Sequence, residues 1–105
     1  MILSEADLVA AVTRDRAAGK RIGWVGLSFD LLRVGEVRRI QTAAGRADRL
    51  VVAVVDDDQP HVMTIGDRAE LADSVRGVAY VIICPPGRPD KVAALAALVA
   101  PDVRS

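Results

Sequence analysis

A single three-layer α/β domain on a short parallel sheet is the fold class this sequence predicts. Three observations carry the prediction. The run Leu50-Val51-Val52-Ala53-Val54-Val55 is apolar at every position. Strands buried on both faces read this way, and they belong to parallel sheets covered by helices. Two further apolar runs, 22–26 and 79–83, are separated from it by segments of helical character. Strands joined through helices need right-handed crossovers and give a parallel sheet between helical layers. Finally, 105 residues without an internal repeat, low-complexity tract or linker make one domain, 1–105, with a modest core.

The elements follow in chain order. Ser4 is a helix cap, and Glu5 and Asp7 sit where the helix dipole favours acids. Leu8, Ala11, Val12 and Ala17-Ala18 give an apolar stripe, and Gly19 is a stop with Lys20-Arg21 near the helix end. Ile22 to Gly26 is a buried strand, and Trp24 on it belongs to the core. Gly26 to Asp30 is a loop, and Val34 to Ala44 a helix ended by Gly45. Arg49 to Val55 is the second strand, broken by Asp56-Asp57-Asp58-Gln59-Pro60. Gly66 to Val75 is a helix with Asp67 near its start, and Ala79 to Ile83 the third strand. Cys84-Pro85-Pro86-Gly87 stops further pairing. Pro89, suited to a first turn, opens a last helix that runs to Val99.

Composition narrows the function classes. Hydrophobic residues make up 51% and aromatics only 3%, so the core is aliphatic. The 14 basic and 14 acidic residues cancel, which argues against nucleic-acid binding through bulk charge. A local basic patch is still open, since Arg33, Arg38 and Arg39 cluster. Cys84 is the one cysteine, so no intrachain disulfide is expected, and a reducing, cytoplasmic setting fits. No signal-peptide pattern is seen, and the apolar runs are too short to span a bilayer.

Chemistry concentrates in Gly26-Leu27-Ser28-Phe29-Asp30-Leu31-Leu32-Arg33-Val34-Gly35-Glu36-Val37. This run resembles the signature Gly-x-Phe-Asp-Leu-Leu-His-x-Gly-His-Val of the cytidylyltransferase-like (nucleotidyltransferase) superfamily, and most of all the adenylyltransferase domain of bacterial ADP-heptose synthesis. The likeness continues in order through 16–22, 47–57, Asp67-Arg68-Ala69-Glu70-Leu71, 78–82 and 97–103. It implies a Rossmann-like fold of the HUP type, with a nucleotide cleft at the carboxyl ends of the strands. By the same likeness, the nucleotide-binding positions are Gly26, Phe29, Asp30, Arg33, Gly35, Asp56 and Arg68. A glycine at position 35 lets an adenine ring approach the backbone, and Arg33 and Arg68 face phosphates.

Three departures bear on activity. The family's two histidines, which stabilise charge at the α-phosphate, fall at Arg33 and Glu36. Such stabilisation is usually the largest catalytic term. Arg33 can meet a phosphate bidentately, whereas Glu36 repels it and competes for the helix dipole. The family's lysine-bearing phosphate loop is replaced by 56–66, which holds no lysine. The chain also stops at Ser105, where the likeness puts the start of a fourth strand, so a domain truncated after the third βα unit is expected. That would leave Ile22 to Gly26 as an unpaired apolar edge, a template for a homodimer or a protein partner.

The functional expectation is a degenerate, non-catalytic nucleotidyltransferase-like domain that acts as a binding or protein-interaction module. Arg33 and Glu36 are then a vestigial catalytic motif. It needs no cofactor, has a nucleotide as a possible ligand, and involves neither nucleic acid nor membrane. The alternative is an active nucleotidyltransferase moving AMP or CMP from ATP or CTP, with Mg²⁺, to a sugar phosphate or related phosphate. A third reading places a different reaction on Asp56, Asp57 and Asp58 or on His61. Each of these residues also has a plainer reading: a solvated acidic turn for the aspartates, a surface residue for His61 and for Arg68, and a partly buried inert thiol for Cys84.

Overall fold

The computed structural model describes residues 1–28, 34–56, 63–84 and 89–104. Its elements alternate as α1 (Glu5–Ala17), β1 (Ile22–Leu27), α2 (Val34–Gly45), β2 (Arg49–Val55), α3 (Ile65–Ser74), β3 (Val78–Cys84), α4 (Pro89–Val99) and β4 (Val103–Arg104). The strands form one parallel sheet in the order β3-β2-β1-β4. β1 and β2 pair in register from Ile22↔Arg49 to Leu27↔Val54. β2 and β3 pair from Leu50↔Val78 to Val55↔Cys84, with Ala79 passed over where Val51 meets Tyr80.

The unbroken apolar run of β2 is explained by its two faces. Val51 and Ala53 point to one side, where they meet Leu8, Ala11 and Val12 of α1 and Leu95, Ala96 and Val99 of α4. Leu50, Val52 and Val54 point to the other, against Ile40 and Ala43 of α2 and Ala69 and Ala72 of α3. Val51, Val52 and Val54 are wholly buried, and each such side chain contributes about 1.5–3 kcal/mol. Trp24 is core, as expected, at 5% exposure. Among the described residues, no helix is long and apolar enough to cross a membrane.

Local signals set the boundaries. The Ser4 hydroxyl accepts the Asp7 N–H at the start of α1, and the Thr64 hydroxyl accepts the Asp67 N–H at the start of α3. Each cap contributes about 1 kcal/mol. Gly19 follows α1 at φ +81, a left-handed turn that glycine enters without steric cost.

Two expectations are corrected. The apolar stripe of α1 does not end on Ala17 and Ala18, which are exposed; the buried position of that turn is Asp15. An acid is tolerated there because it accepts the Tyr80 hydroxyl and lies 3.8 Å from Arg49 Nε. The expected lack of a fourth strand also does not hold. The fourth strand is present in short form, pairing Gly23↔Val103 and Trp24↔Arg104, so β1 is an inner strand over its first half. Asp102 anchors it, with Oδ2 accepting the Ile22 N–H at 2.9 Å and its own N–H donating to the Ile22 carbonyl at 2.8 Å. Among the described residues, only Val25 to Leu27 lack a partner strand on that side.

The opposite edge has an unexpected guard. Ile2 bridges Val81 in parallel, Leu3 N–H donates to the Val81 carbonyl, and Val81 N–H donates to the Met1 carbonyl. The terminal ammonium pairs with Asp73. The outer edge of β3 is thereby partly covered, as exposed sheet edges usually need to be.

Candidate functional site

Parallel strands separated by helices direct every strand's carboxyl end, and the first turn of each following helix, to one side of the sheet. Ligands of such sheets bind there. Gly26, Ser28, Gly35, Glu36, Asp56 and Arg68 all lie at this end. Phe29, Asp30, Arg33, Asp57, Asp58 and His61 lie outside the described residues.

Arg68 dominates the geometry. It lies in the second turn of α3 and is 2% exposed, which overturns its reading as a surface helix residue. Its Nη2 meets Asp56 Oδ1 at 2.6 Å. Its Nη1 donates to the Ser28 carbonyl at 3.1 Å and the Val55 carbonyl at 3.3 Å. One guanidinium therefore ties the segment leaving β1 to the segment leaving β2. A planar fork can do this where an ammonium cannot. The Arg68 Nε is buried without a hydrogen-bond partner.

Asp56 is accordingly held in place at the end of β2, not merely part of a solvated turn. Its N–H also donates to the Cys84 carbonyl, which fixes it against β3. Glu36 is in the first turn of α2, and one of its carboxylate oxygens, Oε2, is buried without a hydrogen-bond partner among the described residues. Anions are favoured at a helix start, so the position suits Glu36 itself and disfavours a second anion beside it.

Gly26 and Gly35 are not demanded by packing against the described residues. Among the described residues, a Cβ on Gly26 would make only an ordinary contact, 3.9 Å from Val55 Cγ2, and one on Gly35 would meet nothing within 4 Å. Gly45 is equally open at the far end of α2, so openness alone does not mark a ligand site. Gly23 differs, since its Cβ would lie 3.0 Å from Ala47 Cβ and 3.1 Å from Leu50 Cδ1.

The remaining candidates separate cleanly. Cys84 is fully buried, and burial raises its thiol above the ordinary value while Lys91 acts in the opposite sense. That is the opposite of an activated nucleophile. Among the described residues, no three His, Cys, Asp or Glu side chains are grouped so that they could hold a metal ion. The sequence reading missed the acceptors of Arg68, because Ser28 and Val55 contribute backbone carbonyls that leave no signature in residue type. It also missed the buried pair of Asp15 and Tyr80. The available signal there was a lone acid in helical register with Leu8, Ala11 and Val12 and a lone phenol in an apolar strand.

Comparison with known proteins places this geometry. No family model matches the chain. The bifunctional protein HldE of Halorhodospira halophila is 50% identical over 56 residues, 53% of this chain and 12% of that protein. HldE of Shewanella piezotolerans is 30% identical over 101 residues, 89% of this chain and 21% of that protein. The chain thus spans only 12–21% of the length of these relatives. Among solved structures, a lipopolysaccharide core biosynthesis protein from Thermoplasma volcanium superposes with a TM-score of 0.71. It is 21% identical, and the match covers 82% of this chain and 73% of that one. This second likeness is one of fold.

Proposed function

Since the chain belongs to the cytidylyltransferase-like superfamily, we propose that it is a nucleotidyltransferase-like domain without transfer chemistry, working as a binding module. The observation that carries this is the internal use of Arg68. A guanidinium that could neutralise a phosphate is buried on Asp56 and two backbone carbonyls. Releasing it would break its contacts to Asp56 and both carbonyls, and breaking a buried pair costs about 3–5 kcal/mol. Glu36 adds to the argument. It stands where the family signature has a histidine and holds a carboxylate at the helix start that should cradle phosphate.

A cleft so arranged has less to offer a triphosphate than the family pattern. A partner strand at β1 has only Val25 to Leu27 to pair with, a shorter edge than the sequence suggests. A homodimer through this edge would therefore draw most of its contact from neighbouring elements.

The test is pyrophosphate release from ATP and from CTP, with Mg²⁺ and sugar phosphates, alongside calorimetric titration of each nucleotide. The expected result is background release and no saturable heat at millimolar nucleotide on folded protein. Release that scales with protein and disappears in Gly35→Trp overturns the proposal and makes the domain an active nucleotidyltransferase. Glu36→Gln sharpens the physical argument: if repulsion keeps nucleotides out, this variant gains nucleotide affinity over the parent.

A further inference from the structure

The amino end of the sheet, opposite the cleft, carries a patch of arginines that neither the fold nor the cleft uses. Lys20 and Arg21 precede β1, Arg46 precedes β2, and Arg76 precedes β3. Backbone contacts bring these turns together. The Arg21 carbonyl accepts the Asp48 and Arg49 N–H groups at 2.9 and 3.0 Å, which sets the β1 and β2 entrances side by side. A Cβ on Gly77 would lie 2.9 Å from Ala44 Cβ, which sets the Arg76 turn against the end of α2 that carries Arg46.

Charges at this end differ in what they already touch. The acids bind protein donors: Asp48 and Asp102, both exposed, take the Arg21 N–H at 2.8 Å and the Ile22 N–H, and the buried Asp15 takes the Tyr80 hydroxyl. Arg21, Arg46 and Arg76 are exposed, and among the described residues their guanidinium groups make no hydrogen bond or ion pair. A net charge of zero hides this arrangement.

We propose that this rim is a docking surface for a carboxylate-rich segment of a partner protein. Guanidinium forks match carboxylates bidentately. The alternative polyanion, a nucleic acid, is less well served. Trp24 and Tyr80 are buried, so neither offers a stacking face for single strands. The arginines lie on short turns at the end of a sheet, not on a helix or ribbon that could enter a groove. The surface is independent of the cleft and stands whether or not nucleotides bind there.

The test is fluorescence anisotropy with a labelled deca-glutamate peptide, run beside a labelled single-stranded oligonucleotide of equal charge. Saturable peptide binding that falls with salt is expected, tighter than for the oligonucleotide. The double variant Arg46→Gln/Arg76→Gln should weaken it by about tenfold. Lys91→Gln, at the other end of the sheet, should leave it unchanged. The proposal is overturned by the absence of saturable peptide binding, by tighter binding of the oligonucleotide, by a double variant that binds like the parent, or by an equal loss in Lys91→Gln.

Discussion

The two ends of the sheet use the same residue types in opposite ways. At the carboxyl end the cation is buried and its partners are internal: Arg68 on Asp56, Ser28 and Val55. At the amino end Asp48 and Asp102 accept backbone N–H groups, while Arg21, Arg46 and Arg76 are exposed and their guanidinium groups have no partner among the described residues. A buried arginine held by three internal acceptors acts as a brace. An exposed arginine without a partner contributes little to stability and is free to meet something else. Residue type alone therefore does not locate function in this chain; what each charge already touches does.

The sharpest way to break the comparison is at Arg68. Arg68→Ala removes the contacts of a buried cation to Asp56 and two carbonyls, and should cost about 3 kcal/mol in urea denaturation. Domains of this size are stable by only about 5–15 kcal/mol, so much of the variant should be unfolded or close to it. Arg68→Lys keeps the charge but cannot reach three acceptors with a planar fork, and should recover only part of the loss. If Arg68→Ala melted like the parent, the brace would be no brace, and the reading of the cleft would fall with it.

A second test concerns the packing that fixes the amino end. Gly77 has φ +99, and a Cβ there would come within 2.9 Å of Ala44 Cβ. Gly77→Ala combines backbone strain with a clash against α2 and should cost about 1–3 kcal/mol by thermal or chemical denaturation. It should also displace Arg76 from Arg46 and weaken acidic-peptide binding beyond what stability accounts for. A loss of stability alone would leave Arg76 outside the docking surface.

Much of this was legible in the sequence, and the limits are physical. β2 and α4 run over the expected residues because an all-apolar run admits one reading and Pro89 marks a helix start. β1 and β3 are each slightly longer than expected, through Leu27 and from Val78 to Cys84. Strand ends are fixed by pairing, which residue type does not encode. β4 was out of reach for the same reason: two residues, Val103 and Arg104, are strand because Asp102 holds them to Ile22. At the cleft the motif positions were readable from family likeness. The state of Arg68 was not, because its acceptors are mostly backbone carbonyls.

The buried polar pair on the other face makes a smaller, pH-dependent prediction. Burial first, then the hydrogen bond to Asp15, raises the Tyr80 phenol above its ordinary pKa. The folded state therefore keeps the proton more tightly than the unfolded chain. The resulting stability is complete below the ordinary tyrosine pKa and is lost as pH rises through the folded value. Tyr80→Phe removes the donor from a nearly buried carboxylate and should cost about 1–2 kcal/mol at neutral pH. The gap between parent and variant should narrow as pH climbs past 10. A gap that stays constant to alkaline pH would mean that the phenol does not titrate differently in the two states.

The smallest expected effect is the most discriminating. Arg46→Gln/Arg76→Gln changes two exposed side chains whose charged groups have no partner among the described residues, so its stability should match the parent within about 0.5 kcal/mol. The same variant should lose acidic-peptide binding. A near-zero stability change beside a large binding change is the signature of a presented charge, and Arg68→Ala should give the reverse balance. If the double variant were instead destabilised by more than about 1 kcal/mol, its arginines would be supporting the turns between strands. The contrast between the two ends of the sheet would then be one of degree, because both would be using their cations to hold the fold.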